Sequence, residues 1–193
     1  MHPFRQYISR YATLTDAEWS AIEPELNRQV YDVGDTLLRE GEICRRLYFL
    51  ETGFLRYYVI GDAGDPYTKY FTESPYCFTS QRSFSQRIPA TDTIEVLEPA
   101  VTWELDRAVT FDLLRLPGWS EFIRRLIQEV QGYTEDILQE AQQFTAEQRY
   151  AKLLAENSII LRKAPLKDVA SYLGIAPQSL SRIRKKMAGS QGT

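Results

Sequence analysis

Histidine and cysteine are nearly absent from this sequence: 193 residues contain one His and two Cys. His2 alone cannot supply the base of a Ser/His/Asp or Cys/His site inside a folded core, which excludes nucleophilic catalysis of those kinds. Cys44 and Cys77 are too few for an iron–sulfur cluster on four thiolates or for a four-cysteine zinc site. They are expected to be reduced and buried, as is usual in the cytosol. No apolar run approaches the ~20 residues needed to span a bilayer, and the opening MHPFRQYISRYATLTDAEW has no signal-peptide apolar block. The expectation is a cytoplasmic protein with no membrane partner. A phosphate-binding loop and metal-ligand spacing are missing too, so an enzyme is the least supported function class.

What is present is an uneven distribution of charge. The chain carries −3 overall, with 44% hydrophobic and 25% charged residues, an ordinary balance for a globular protein able to bury a core. Residues 162 to 187, however, hold seven Lys/Arg and only Asp168 as an acid, a local +6 that leaves −9 on the remainder. A basic terminal segment on an acidic body points to a local nucleic-acid footprint.

The pattern within that segment agrees. In PLKDVASYLGIAPQSLSRIRKKM (165 to 187), Val169, Ala170 and Leu173 share one helix face and Gly174 permits a sharp turn. Ile175 fills the angle, and Leu180 and Ile183 anchor a second helix with Pro177 in its first turn. This is the spacing of a helix-turn-helix. Gln178, Ser179, Ser181, Arg182, Lys185 and Lys186 are left facing outward, able to reach base edges and phosphates. Gln178 and Arg182 are the expected base readers, with Lys163, Lys167 or Lys185 as phosphate clamps. Ala176 stands where a Ser or Thr would cap the second helix, at a cost of roughly 1 kcal/mol that phosphate contact would offset in part. No β-wing follows Met187 in this sequence. A solvated basic hairpin is the plainer alternative.

Upstream, Thr15-Asp-Ala-Glu18 is a capping box that predicts a helix reaching about Leu26 and opening the fold. From Val30 to Leu105, short β-branched and aromatic runs broken by Gly34, Gly41, Gly53, Gly61 and Gly64 predict a small antiparallel barrel or roll, with Gly61 to Gly64 as a hairpin tip. After Trp103 the pattern turns helical. Ile123, Val130, Ile137 and Phe144 recur every seven positions, with Leu126 and Tyr133 interleaved, giving a coiled-coil seam that Glu140 interrupts. The seam could pack within its own domain, but pairing with a second copy is favoured, because one short reading helix needs two half-sites. Thr145-Ala-Glu-Gln148 is a second capping box, opening a helix from 147 to 156 that packs Tyr150, Leu153 and Leu154 in a three-helix unit.

In order, these elements give an α+β architecture: an N-terminal antiparallel β-roll (1–108) of the jelly-roll-like, double-stranded β-helix kind with flanking helices, a dimerisation helix (109–144) and a C-terminal helix-turn-helix domain (145–193). VGDTLLREGEICRRLYFLETGFLRYYV, AEQRYAKLLAEN and PLKDVASYLGIAPQSLSRIRKK together resemble the Crp/Fnr family of bacterial transcription regulators, from about Thr15 to Lys186. The resemblance implies a cyclic-nucleotide-binding-type domain and a ligand-responsive regulator. It implies as partners double-stranded DNA with a palindromic operator and a second copy of the chain, with RNA polymerase as a further candidate. In members that respond to cyclic nucleotides, a Gly-Glu pair takes the ribose hydroxyl and a following Arg-Ser or Arg-Thr takes the phosphate. Here those positions align with Thr79-Ser80 and Ala90-Thr91, so both charged anchors are missing. Arg82 and Arg87 lie nearby, but Pro89 makes a register slip towards Arg87 awkward. A buried phosphate needs a paired cation, so tight cyclic AMP or cyclic GMP binding is not expected. The family's iron–sulfur branch is disfavoured for want of a cysteine cluster, and haem sensing lacks an interior histidine, although cysteine ligation remains open. Tyr57, Tyr58, Tyr67, Tyr70, Phe71, Tyr76 and Phe78 would suit a small apolar or aromatic effector; an empty roll acting as a dimer scaffold is equally consistent. No cofactor is assigned and the effector is unknown. The alternative to a DNA-binding regulator is a ligand-binding or protein-interaction module that has lost DNA reading.

Overall fold

The computed structural model describes residues 1–61, 64–156 and 158–190. The chain opens with α1 (Pro3–Ile8), a helix that the sequence pattern did not announce. Pro3 suits its first turn, where a missing N–H costs nothing, and the His2 ring accepts the Phe4 N–H at 3.2 Å. The only histidine is thus a structural cap, lodged against Trp19 and Trp103 with ring centroids at 5.1 and 4.3 Å. Next comes α2 (Asp16–Ile22), with the expected capping box formed and a 3-10 turn at Glu23–Glu25 completing the run to Leu26.

Six antiparallel strands follow: β1 (Asn27–Tyr31), β2 (Thr36–Leu38), β3 (Arg46–Ile60), β4 (Pro66–Glu73), β5 (Tyr76–Phe78) and β6 (Thr93–Asp106). The sheet order is β1-β6-β3-β4, with β2 also on β6 and β5 also on β3. The long strands β3 and β6 pair from Arg46↔Asp106 to Tyr58↔Thr93, with irregularities clustered between Leu50 and Leu55. At the bend, Gly53 has φ +122°, and a Cβ there would lie 2.6 Å from the Cβ of Ala100. Glycine alone permits this close approach. Alternation along β3 then serves two layers: Tyr48 stacks inside on Phe78 at 5.1 Å, and Phe49 stacks outside on Phe4 at 4.8 Å. Ile60 pairs with Pro66 across the expected hairpin; its central residues, 62 and 63, lie outside those described.

Between β5 and β6 lies α3 (Gln81–Gln86). Strand structure continues to Asp106, three residues beyond Trp103, and only then does the chain turn helical, in α4 (Arg107–Asp112). The expected continuous segment 109–144 is broken. Pro117 disfavours helical backbone at the residue before it, and Leu116 is extended at ψ 120°. The long helix α5 (Pro117–Gln143) starts there, its first half sunk into the roll through Trp119, Phe122 and Leu126. At its far end Phe144 is extended rather than helical and 43% exposed, so it is not part of the seam.

The C-terminal unit has four helices rather than three: α6 (Ala146–Ala155), α7 (Ile159–Lys163), α8 (Leu166–Tyr172) and α9 (Pro177–Ser190). α6 opens on the second predicted capping box. Tyr150, Val169, Ala170, Leu173 and Leu180 form its core, with Leu153, Ile160, Leu161 and Ile183 packed around them. Leu154 is 42% exposed and does not join them. α8 ends as the sequence predicts: Gly174 has φ +70°, its N–H reaches the Ser171 carbonyl, and the Ile175 N–H reaches that of Ala170. This left-handed cap directs α9 away from α8. Arg149 adds a bond to the Leu173 carbonyl.

Two expectations follow. Glu18 accepts the Thr15 N–H at 2.8 Å and the Gly118 N–H at 2.8 Å, so one carboxylate serves the first turns of both α2 and α5. Those donors hold its pKa below the ordinary 4.5. Its contribution to stability is therefore full above that pH and is lost as pH falls through the depressed value. Glu18→Gln should lower Tm near neutrality and flatten the acid limb of a Tm against pH curve; an unchanged acid limb would remove Glu18 from this role. Gly174→Ala should cost the C-terminal unit about 1 kcal/mol, read as faster amide exchange in α8 and α9 with the roll unaffected.

Candidate functional site

On α9 the apolar residues face inward: Leu180 is fully buried, and Ile183 and Met187 pack on the same cluster. This leaves Gln178, Arg182, Arg184, Lys185 and Lys186 exposed along the other faces, and Ser179 half-buried. Ser181 is half-buried, and its hydroxyl donates back to the Pro177 carbonyl at 3.0 Å. Lys186 reaches Glu147 on α6 at 2.7 Å. Lys167 is exposed at the start of α8. Lys163, expected as a phosphate clamp, is instead committed to the roll, 2.6 Å from Glu98 and 3.5 Å from Glu73. The acidic body of the chain supplies a nearer partner than any external phosphate. The outward set brought together on α9 is thus Gln178, Arg182, Lys185 and Lys186.

A cleft of about 930 Å³ lies between β4, β5 and α3 on one side and α5 on the other. Five of the six aromatics that line it from the strands, Tyr57, Tyr70, Phe71, Tyr76 and Phe78, are buried or half-buried, with Tyr67 at the more exposed margin. Tyr58 does not belong to it; its ring lies under the Arg56 guanidinium at 4.4 Å. α5 contributes Ile123, Leu126, Val130, Tyr133 and Ile137, the whole predicted seam short of Phe144. The sequence reading missed Glu129 and Leu138, which neighbour seam positions and also line this wall. Burial raises the pKa of Tyr57 and Tyr70, so these phenols stay neutral.

The residues aligned with the nucleotide anchors are dispersed. Thr79 lines the cleft, but its hydroxyl donates to the Arg46 carbonyl at 2.8 Å and faces the buried Cys44 sulfur. Ser80 precedes α3 as its cap residue. Arg82 and Arg87 are exposed, and Arg87 ends α3 with φ +59°. Ala90 is buried, its backbone tied to Gly41 and Glu42 at 2.8 and 2.7 Å. Thr91 is exposed and bonds Asp92 at 2.7 Å. Tyr70, beside Tyr57 at 4.3 Å, is the predicted pocket residue that sits fully within the cleft wall. Lys69, the cation lining the cleft, is paired with Asp92 at 2.7 Å, and Glu73 and Glu129 tip the lining towards negative charge. Cys44 and Cys77 are free and buried, and burial pushes the Cys77 thiol up. Among the described residues no three His, Cys, Asp or Glu side chains are grouped to hold a metal ion, and no helix is long and apolar enough to cross a membrane.

Residues 28–116 match the family described as the cyclic nucleotide-binding domain. A search of curated protein sequences found no match. Among solved structures, a transcriptional regulator of the Crp/Fnr family from Eubacterium rectale is similar over 92% of this chain and 85% of its own, with TM-score 0.73 and 18% identity. The c-di-GMP responsive global regulator CLP of Xanthomonas campestris is similar over 92% and 93%, with TM-score 0.72 and 12% identity. FixK2 from Bradyrhizobium japonicum is similar over 86% of each chain, with TM-score 0.71 and 17% identity. The chain therefore has the fold of the Crp/Fnr regulators, with a roll of the cyclic-nucleotide-binding type followed by a long helix and a helical C-terminal unit.

Proposed function

We propose that the protein is a homodimeric, DNA-binding transcription regulator that reads an operator through α9. The observation that carries this reading is the two-sidedness of α9: Leu180 and Ile183 turned to the core, and Gln178, Arg182 and Lys185 held outward on the basic end of an acidic chain. Gln178 suits adenine and Arg182 guanine, while Lys185, Lys186 and Lys167 serve phosphates. The parts are a sensor roll (1–108), a dimerisation segment (109–144) and a reading domain (145–193).

Dimerisation uses α5. Ile127, Tyr133 and Leu138 are 39%, 47% and 60% exposed on it and also line the cleft, so a second α5 would pack along the cleft's open side. Two α9 helices then address half-sites about one DNA turn, roughly 34 Å, apart. The roll's cleft suits an apolar or aromatic effector better than a cyclic nucleotide. Its one cation is already paired, its acids repel a phosphate, and the Arg position of the nucleotide-responsive pattern is filled by a buried alanine.

Selection from random duplex DNA should enrich a palindrome, bound with steeply salt-dependent affinity. Arg182→Ala should cost about 1–3 kcal/mol on that duplex and relax one base preference, whereas Lys185→Ala should weaken all sequences alike and lower the salt slope by about 1. Parent-like binding by both variants would remove α9 as the reader. No enriched duplex from a folded dimer would favour an interaction module instead. Ile137→Glu should shift sedimentation from dimer to monomer; a dimer unchanged at micromolar concentration would rule out the α5 seam.

A further inference from the structure

The long helix α5 leads from the roll to the C-terminal unit and is joined to it by a short extended stretch at Phe144 and Thr145, yet that unit is also docked on the side of the roll. β4 is the edge of the sheet, and an edge strand leaves backbone groups without a strand partner. α8 covers it. The Thr68 N–H donates to Ser171 Oγ at 2.8 Å, and that hydroxyl donates to the Pro66 carbonyl at 3.1 Å. Beside this contact, Arg56 of β3 reaches across to Asp168 of α8 and holds Glu95 of β6 at 2.6 Å, with Tyr58 beneath its guanidinium. Arg56 and Asp168 are 6% and 3% exposed. Lys163 with Glu98, and Tyr172 against Phe71 at 5.6 Å, complete the interface.

We propose that Arg56 is a positioning residue for DNA reading: by holding Asp168 across the domain boundary it fixes the angle of α8 and α9 to the long helix, and hence the separation of the two reading helices in the dimer. The inference rests on the DNA-reading dimer proposed above. A buried ion pair adds little net stability, because desolvation cancels most of the attraction, but a buried carboxylate left alone is strongly disfavoured. Asp168 therefore makes the docked orientation one choice rather than one of many about the Phe144 joint. The docking face of α8 carries Asp168, Ser171 and Tyr172, and the exposed face of α9 stays open while it is made. The docked form is thus compatible with reading DNA.

The test uses the full-length dimer and has one readout that needs no DNA. Because Ser171 holds the Thr68 N–H, exchange at that amide reports docking directly. In Arg56→Met, Thr68 exchange should accelerate about tenfold while amides of the β3–β6 ladder keep their protection. Affinity for the selected palindrome should fall about tenfold, its preference over duplexes with half-sites moved by one base pair should flatten, and binding to a single half-site should be unchanged. Arg56→Lys should restore part of the spacing preference. Should Arg56→Met fail to fold, Asp168→Asn, which keeps the side chain's size and removes the charge that Arg56 holds, should give the same flattening. A folded variant with parent-like Thr68 exchange, parent-like spacing preference, or tighter binding to the palindrome would overturn the proposal. If the parent selects no duplex, the DNA-reading proposal fails, and with it the role of Arg56 in reading; Thr68 exchange then still decides whether Arg56 holds the docked unit.

Discussion

The β3–β6 ladder is the constraint on which the rest of the molecule hangs. Every other strand pairs with one of these two, β1 and β2 with β6 and β4 and β5 with β3, and both long strands stay continuous through a bend that exists only because Gly53 lets the backbones meet. A bent ribbon presents two environments along one strand. The half of β3 before Gly53 packs Phe49 against the N-terminal helices, and the half after it carries Arg56 to the C-terminal unit. A single strand thus ties the hydrophobic core of the roll to the polar contact that orients α8.

Local signals in the sequence were read well where the physics is local. The capping boxes at Thr15 and Thr145, the left-handed turn at Gly174 and the glycine-punctuated strands each depend on residues within a few positions of one another. What the sequence hid was of two kinds. Short elements such as α1 and α7 are too brief to show a period. The break at Leu116 did have a signal, Pro117, which the helical texture on either side obscured. Contacts distant in sequence had none. Nothing near Lys163 announces Glu98, and nothing near Arg56 announces Asp168, 112 residues away.

The nucleotide-anchor positions show a middle case. The aligned segment runs through α3, and the place of the pattern's arginine is held by Ala90, which is buried; where the nearby arginines point was not legible. Arg82 and Arg87 are near in sequence but lie on the solvent side of α3, because the helix spends its inward positions on Ser83 and Phe84. The aromatics that crowd this part of the sequence line the cleft, except Tyr58, whose neighbour Tyr57 takes the inward position while Tyr58 turns to Arg56.

β4 is the element that the cleft and the docked unit share. Phe71 lines the cleft, stacks on Phe54 at 5.5 Å and meets Tyr172 of α8, while the outer edge of the same strand is bonded to Ser171. An occupant of the cleft would act on the C-terminal unit only to the extent that it bound the docked and undocked forms with different affinity. Contacts to walls that do not move, such as the buried first half of α5, contribute equally to both forms and shift nothing. The differential part must come through Tyr70 and Phe71 on β4, or through the exposed half of α5. Tight binding and an effect on α8 would therefore make separate demands on the cleft, and the β4 face is the one that meets α8.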